Sequence, residues 1–239
     1  MDHPNSLDKK IAGFSLIELL IAMTITLVLM GLAATLIASS FSVRKREDQH
    51  TDAIADVQRT LNIMSREIAS SGFNMSNNGI VLGDSDATSI RIRANLNKYD
   101  TSVSDTARSG ISVQNEDKGE DLKYFLNDAG YTKYLVRYDM YAPVGPPDQR
   151  TSVLANRIDS IRIHYFDQRV TYTTSDCNIT SPSRTELATT DLARAQYVVI
   201  GACVRLEAVG SPGTSGYQPA QSMLLVSDVA LRRANLRTY

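Results

Sequence analysis

The chain contains no tryptophan, two cysteines and three histidines in 239 residues. A structural zinc site uses four cysteine or histidine ligands at short, regular spacings, so this composition argues against one. The charges almost cancel, with 25 lysines and arginines against 26 aspartates and glutamates. Such a chain has no net basic field to hold nucleic acid. Zinc proteins and nucleic-acid readers are therefore disfavoured.

Common catalytic signatures are also missing. The sequence has no nucleophile elbow, zinc-protease helix motif, P-loop or dinucleotide-binding glycine pattern. His164 lies in an alternating segment typical of a strand, which predicts a surface or hydrogen-bonded histidine rather than a general base. We predict that the protein is not an enzyme and has no catalytic residue, metal ion or cofactor.

One acidic segment is the best calcium candidate. Residues 115–121 read NEDKGED, and hard cations select clustered carboxylate oxygens. The spacing is not that of an EF-hand, so we expect a solvated hairpin loop instead.

A long apolar run lies near the N-terminus. Residues 14–41 contain one ionisable side chain, Glu18, and no proline. As a helix the run spans roughly 42 Å, more than the roughly 30 Å of a bilayer core. A cleaved secretory signal has a shorter apolar stretch of about 7 to 15 residues. A plain membrane anchor explains the length but not Glu18, because an acid at the centre of a membrane helix costs roughly 2.5 to 3.5 kcal/mol.

The residues around Glu18 carry a family resemblance. Residues 13–20, GFSLIELL, resemble the cleavage and methylation motif of type IV prepilins. The resemblance implies that the prepilin peptidase removes residues 1–13 after Gly13 on the cytoplasmic face and that the new N-terminus, Phe14, is N-methylated. It also implies that Glu18, at the fifth mature position, is required for assembly. A carboxylate buried among packed helices needs a cationic partner, and the amino group of Phe14 on an adjacent subunit supplies one.

A second helical pattern follows without a helix breaker. Apolar residues recur at spacings of 3, 4, 3 and 4 and fall on one helical face: Ile54, Val57, Leu61, Met64 and Ile68. Gly72 follows Ser70 and Ser71 and predicts a left-handed stop. We therefore expect one helix over residues 14–71, apolar all round in its first half and with one buried stripe in its second.

From residue 80 onward the patterns favour strands. Ile90, Ile92 and Ala94 alternate with Arg91 and Arg93. Further strands are predicted at residues 122–126, 134–141, 158–165, 197–206 and 223–231, with long loops at 98–110, 142–150, 174–195 and 209–221. The fold class is α+β and pilin-like: one long N-terminal helix, transmembrane in its first half, packs on an antiparallel β-sheet head with long loops.

The predicted organisation has four parts. Residues 1–13 form a cleaved leader, 14–42 a transmembrane and filament-core helix, 43–72 an amphipathic continuation, and 73–239 a periplasmic or extracellular β-rich head. Cys177 and Cys203 lie outside any C-x-x-C spacing. A head outside the cytoplasm favours a disulfide between them, whereas the alternative is a buried Cys203 in a strand and an inert Cys177 in a loop.

Residues 58–73, QRTLNIMSREIASSGF, resemble the PilW family of minor pilins and, more loosely, the J-type minor pseudopilins of type II secretion. Many PilW-like proteins carry Ala before the glycine and Cys shortly after it, where this chain has Ser71 and Asn74-Met75. The resemblance implies a minor pilin that joins other minor prepilins to initiate or cap a type IV pilus. It also implies support for display of a tip adhesin, and hence adhesion and twitching motility.

The implied partners are the inner membrane, the prepilin peptidase, other minor pilins, the major pilin and a tip adhesin, with no nucleic acid. The chain would cross the inner membrane once, with its head in the periplasm, before it enters a pilus or pseudopilus at the cell surface. Two alternatives share the topology: a J-type pseudopilin of type II secretion, and a single-span membrane-anchored sensor or binding protein.

Overall fold

The computed structural model describes residues 15–75, 77–96, 118–128, 133–143, 147–156, 158–181, 183–214 and 216–232. Its one α-helix among these residues, α1, runs over Leu16–Ala69. The chain divides into two compact units. One contains α1 up to Arg46 together with Val209–Gln218, and the other contains Glu47–Ala208 and the chain from Pro219 onward.

The helix ends as its glycine predicts, although slightly earlier than residue 71. Gly72 has a φ of +74°, and its backbone N–H donates to the carbonyl of Arg93 at 2.8 Å. A Cβ atom at position 72 would lie 2.6 Å from the carbonyl oxygen of Asn77. Only glycine fits this left-handed turn, which directs the chain from the helix towards the first strands.

The second half of α1 buries the predicted stripe with one change. Val57, Leu61, Met64 and Ile68 are at most 4% exposed. Ile54 is only half-buried, and Ala53 takes the innermost place at the start of the stripe. Ile54 thus lies at the edge of the stripe. Helical spacing allows a step of three or four residues to Val57, and the small side chain of Ala53 occupies the inner position.

The strands form two larger antiparallel sheets and a short hairpin. The first sheet consists of β1 Ser89–Arg93, β2 Asp121–Asn127, β3 Tyr134–Asp139 and β4 Thr151–Ala155. The second consists of β5 Ser160–Phe166, β8 Tyr197–Leu206 and β9 Gln221–Ala230, and the hairpin of β6 Thr173–Ser175 and β7 Asn178–Thr180. The strand order is β1-β2-β3-β4 in the first sheet and β5-β8-β9 in the second.

The α+β pilin-like fold class is confirmed, since a long N-terminal apolar helix accompanies antiparallel sheets. The expectation of a loop over residues 174–195 was wrong, because β7 and a 3₁₀ helix over Thr189–Arg194 lie within it. β4 was also missed. The predicted loop at 98–110 lies outside the described residues.

The head has a large core and a smaller one. The large core joins the second half of α1 to the inner faces of both sheets. The smaller core lies on the outer face of the second sheet and consists of Phe166, Val170, Ile179, Tyr197 and Val199. Cys177 in the β6–β7 turn and Cys203 in β8 form a disulfide with a Cα–Cα distance of 5.3 Å, which fastens the hairpin to this face.

Candidate functional site

The first turn of α1 gives Glu18 a partner within its own chain. The backbone N–H of Ser15 donates to Oε2 of Glu18 at 3.1 Å, and the N–H of Leu19 donates to the Ser15 carbonyl at 3.2 Å. This is the acidic half of a capping box, in which the carboxylate three residues into the helix reaches back to the capping residue. A negative charge there is also favoured by the helix dipole. The Ser-x-x-Glu spacing was the sequence signal for this contact.

The hydroxyl side chains of the apolar segment are satisfied locally. Each donates to a backbone carbonyl three or four residues earlier, at distances of 2.7 to 3.1 Å: Thr24, Thr26, Thr35, Ser39, Ser40 and Ser42. Hydroxyls bonded in this way need no water and fit a lipid or helix-packed environment. Glu18 is the sole ionisable residue between Ser15 and Val43.

The apolar side chains of the same segment have no cover within the described chain. Sixteen large hydrophobic residues between Leu16 and Val43 are 45 to 82% exposed. By length and composition, this helix could cross a membrane. Monomeric soluble proteins rarely expose an apolar patch larger than a few hundred Å², so this surface is an interaction surface.

The apolar segment ends where a loop contacts the helix. Val209 and Gln218 close the loop with a reciprocal pair of backbone hydrogen bonds of 2.9 Å. Gly216 has a φ of +82°, and a Cβ there would lie 3.0 Å from the Cα of Ser39 and from Oγ of Ser42. The basic residues 44–46 follow directly. Sequence patterns predicted the loop but not the close contact between its Gly216 and the helix at Ser39 and Ser42. A residue with a side chain at position 216 would be too close to these two serines.

The predicted cleavage residues Gly13 and Phe14 lie outside the described residues, whereas Glu18 is described. Residues 8–34 match the family described as the prokaryotic N-terminal methylation motif. The chain has a prepilin-type N-terminus. The match covers a small part of the chain and supports a type IV prepilin-like protein with a membrane-associated helix. No curated protein and no solved structure matches the chain.

In the head of this prepilin-like chain, one buried and one partly buried acid form ion pairs. Asp121 is fully buried and accepts hydrogen bonds from Arg91 at 2.7 and 2.8 Å and from Arg93 at 2.9 Å. Arg91 also donates to Asp84 at 2.6 Å, and Lys123 donates to the same carboxylate at 3.0 Å. Both hydrogen bonds lower the pKa of Asp84, and the bond from Arg91 has the larger effect. The pKa of Arg91 is raised, mainly by its hydrogen bonds to Asp121 and to a smaller extent by its hydrogen bond to Asp84.

The acidic calcium candidate is only partly described, because residues 115–117 lie outside the described ranges. Glu120 accepts the backbone N–H of Leu96 at 2.6 Å, while Asp121 binds the arginines. Within the described ranges, no three histidine, cysteine or acidic side chains are grouped to hold a metal ion. Glu120 and Asp121 thus accept hydrogen bonds within the fold.

His164 is partly satisfied, as the strand pattern suggests. Its Nδ1 lies 3.0 Å from Oε2 of Glu186. Its Nε2 is enclosed and has no hydrogen-bond partner among the described residues.

Proposed function

We propose that this prepilin-like protein is a filament subunit, cleaved after Gly13 and N-methylated at Phe14. The observation that carries the proposal is the exposed apolar half of α1, where sixteen large hydrophobic residues accompany a single acid. In a filament, neighbouring helices would cover these side chains. Glu18 would pair with the amino group of Phe14 on an adjacent subunit, which fixes axial register because an unpaired charge there is costly.

We further propose that the subunit is a PilW-like minor pilin that initiates or caps a type IV pilus and supports display of a tip adhesin. The helix-end stretch of residues 58–73 supports this assignment. The sharp turn at Gly72, with its φ of +74°, gives that stretch a structural role. The same stretch has a looser likeness to J-type pseudopilins, so a secretion pseudopilus is the second candidate.

In-cell crosslinking from the head separates the two candidates. Val153 on β4 is 58% exposed and suits a photoreactive amino acid. We expect capture of other minor pilins and the major pilin, identified by mass spectrometry. Capture of secretion pseudopilins alone would contradict the pilus assignment and support the pseudopilus.

Two controls accompany the crosslinking. The same reagent at the fully buried Met64 should capture nothing, because that side chain lies in the core. The mass of the mature N-terminus tests processing in the same sample. A chain that retains residues 1–13 would contradict both filament assignments and favour a membrane-anchored sensor or binding protein.

A further inference from the structure

A polar pocket opens in the head beside β5, far along the chain from the methylation motif. Its cavity volume is about 800 Å³, within the roughly 300 to 1,000 Å³ of small-molecule sites. The pocket lies between the end of β5, the end of β7 and the segment of residues 183–187.

Hydrogen bonds at both ends of residues 183–187 hold this wall of the pocket in place. The N–H of Leu187 donates to the carbonyl of Tyr165 at 2.9 Å, and Glu186 contacts His164 at 3.0 Å. At the other end, Oγ of Ser183 donates to the carbonyl of Thr171 at 3.3 Å. The pocket is therefore formed before any ligand arrives, which lowers the entropy cost of binding.

The base of the pocket is apolar, and a disulfide holds part of it in place. Phe166 and Ile179 line it and belong to the smaller core, where they are 2% and 6% exposed. Ile179 lies on the hairpin that the disulfide between Cys177 and Cys203 fastens to β8. The smaller core and the disulfide therefore hold the base of the pocket in place.

The polar groups around the base supply both donors and acceptors. Arg184 and Asp167 form an ion pair with an N–O distance of 3.8 Å, which is too long for a hydrogen bond, and the Arg184 side chain is 45% exposed. Hydrogen-bonding positions on the guanidinium and on the carboxylate are therefore left for a ligand. Four hydroxyl side chains complete the lining: Thr180, Ser181, Ser183 and Thr185.

We propose that this pocket binds a neutral saccharide. Sugar hydroxyls both donate and accept hydrogen bonds, which matches a lining of mixed donors and acceptors. Asp167 and Glu186 disfavour an anionic ligand, since they place two negative charges around Arg184, the one arginine or lysine in the described lining. The proposal goes beyond the filament role and does not depend on it.

The test uses the full-length chain in lipid nanodiscs on an array of immobilised neutral oligosaccharides, with sialylated and sulfated oligosaccharides on the same array. We expect saturable binding to at least one neutral oligosaccharide. Arg184→Ala should weaken that binding at least tenfold. Arg205→Ala removes an exposed arginine of β8 that does not line the pocket and should leave binding unchanged.

Thr185→Val, which keeps the size of the side chain and removes its hydroxyl, provides a second variant should Arg184→Ala fail to fold. Near-ultraviolet circular dichroism of the tyrosines checks folding. Loss of binding in either folded variant supports the pocket. Absence of binding to any neutral oligosaccharide, binding to acidic oligosaccharides alone, or binding that folded pocket variants leave unchanged would each overturn the proposal. Mass analysis of the mature N-terminus reports the filament role separately.

Discussion

Gly201 in β8 leaves space for a side chain from the β6–β7 hairpin. A Cβ atom at this position would lie 2.6 Å from Cδ1 of Ile179 and 3.2 Å from Cδ1 of Leu224. The first distance is shorter than real contacts allow, so Ile179 would have to move. The absence of one side chain in the strand thus allows the smaller core to close beneath the hairpin.

Gly201→Ala should therefore lower the free energy of unfolding by about 1 to 3 kcal/mol, the usual cost of overpacking. Urea unfolding of the full chain in detergent micelles, followed by tyrosine circular dichroism, measures it. Ile179→Val alone removes the contacted Cδ1 atom and should cost about 0.5 to 1.5 kcal/mol. If this steric reading is right, the double variant loses less than the two single losses combined; strict additivity would contradict it.

Asp84 should contribute to the acid stability of the head. Its hydrogen bonds to Arg91 and Lys123 lower its native pKa below 3.8. A carboxylate with a depressed native pKa stabilises the fold fully above its unfolded pKa, and this stabilisation is lost as pH falls through the native value. The expected window is therefore below about pH 4.

Asp84→Asn should flatten the fall of stability with acid in that window, because the group that takes up the proton on unfolding is gone. Urea midpoints between pH 5 and pH 2 measure the effect. Asp148→Asn provides the control: this exposed acid accepts the backbone N–H of Arg150 at 3.0 Å, a bond that the amide oxygen can keep, and no ion pair is described for it. An unchanged acid slope in Asp84→Asn would show that the ion cluster does not govern acid stability.

At the scale of elements, regular periodicity predicted structure well. The helix stripe and the predicted strands at β1, β2, β3, β5, β8 and β9 were confirmed because burial of one face imposes an alternating or helical pattern. The hairpin β6–β7 was missed because its residues are mostly exposed and polar. A disulfide and the contact of Ile179 with Gly201 hold the hairpin. Both contacts join residues far apart in the sequence, so they produce no periodic pattern in the hairpin itself.

The candidate sites also differ in whether the sequence alone could predict them. Glu18 was predictable, since a single acid in a long apolar run stands out in the sequence. The pocket near His164 was not, because its residues come from separate segments that only the fold of the second sheet brings together. Single charged and hydroxyl side chains in a loop carry no signal of the cavity that they line.

The two halves of α1 should respond differently to truncation. Met64→Ala removes a fully buried side chain from the large core and should lower the free energy of unfolding of the head by about 2 to 5 kcal/mol. Leu36→Ala in the apolar half changes a side chain that is 68% exposed and should alter it by less than about 0.5 kcal/mol. Micelle-based urea unfolding compares the two variants. Equal losses would contradict the assignment of Leu36 to an intermolecular surface.

For the molecule as a whole, the apolar half of α1 cannot remain exposed in water. Lipid would cover it before assembly and neighbouring helices afterwards, so the same side chains serve both states. Glu18 is the exception, because its carboxylate has a different partner in the single chain and in the filament. In the single chain it accepts the N–H of Ser15 at 3.1 Å, whereas in a filament it would meet the amino group of a neighbour.

Two substitutions at Glu18 distinguish the capping contact from the charge pair. Glu18→Gln keeps an oxygen that can accept the Ser15 N–H but loses the charge, whereas Glu18→Ala loses both. If charge pairing sets axial register, both variants should insert into the membrane and be processed normally, yet enter filaments at least tenfold less than the wild type. Quantitative immunoblots of membrane and sheared-filament fractions measure this. Incorporation of Glu18→Gln at the wild-type level would assign the role to capping, and incorporation of both variants would refute a register role for Glu18.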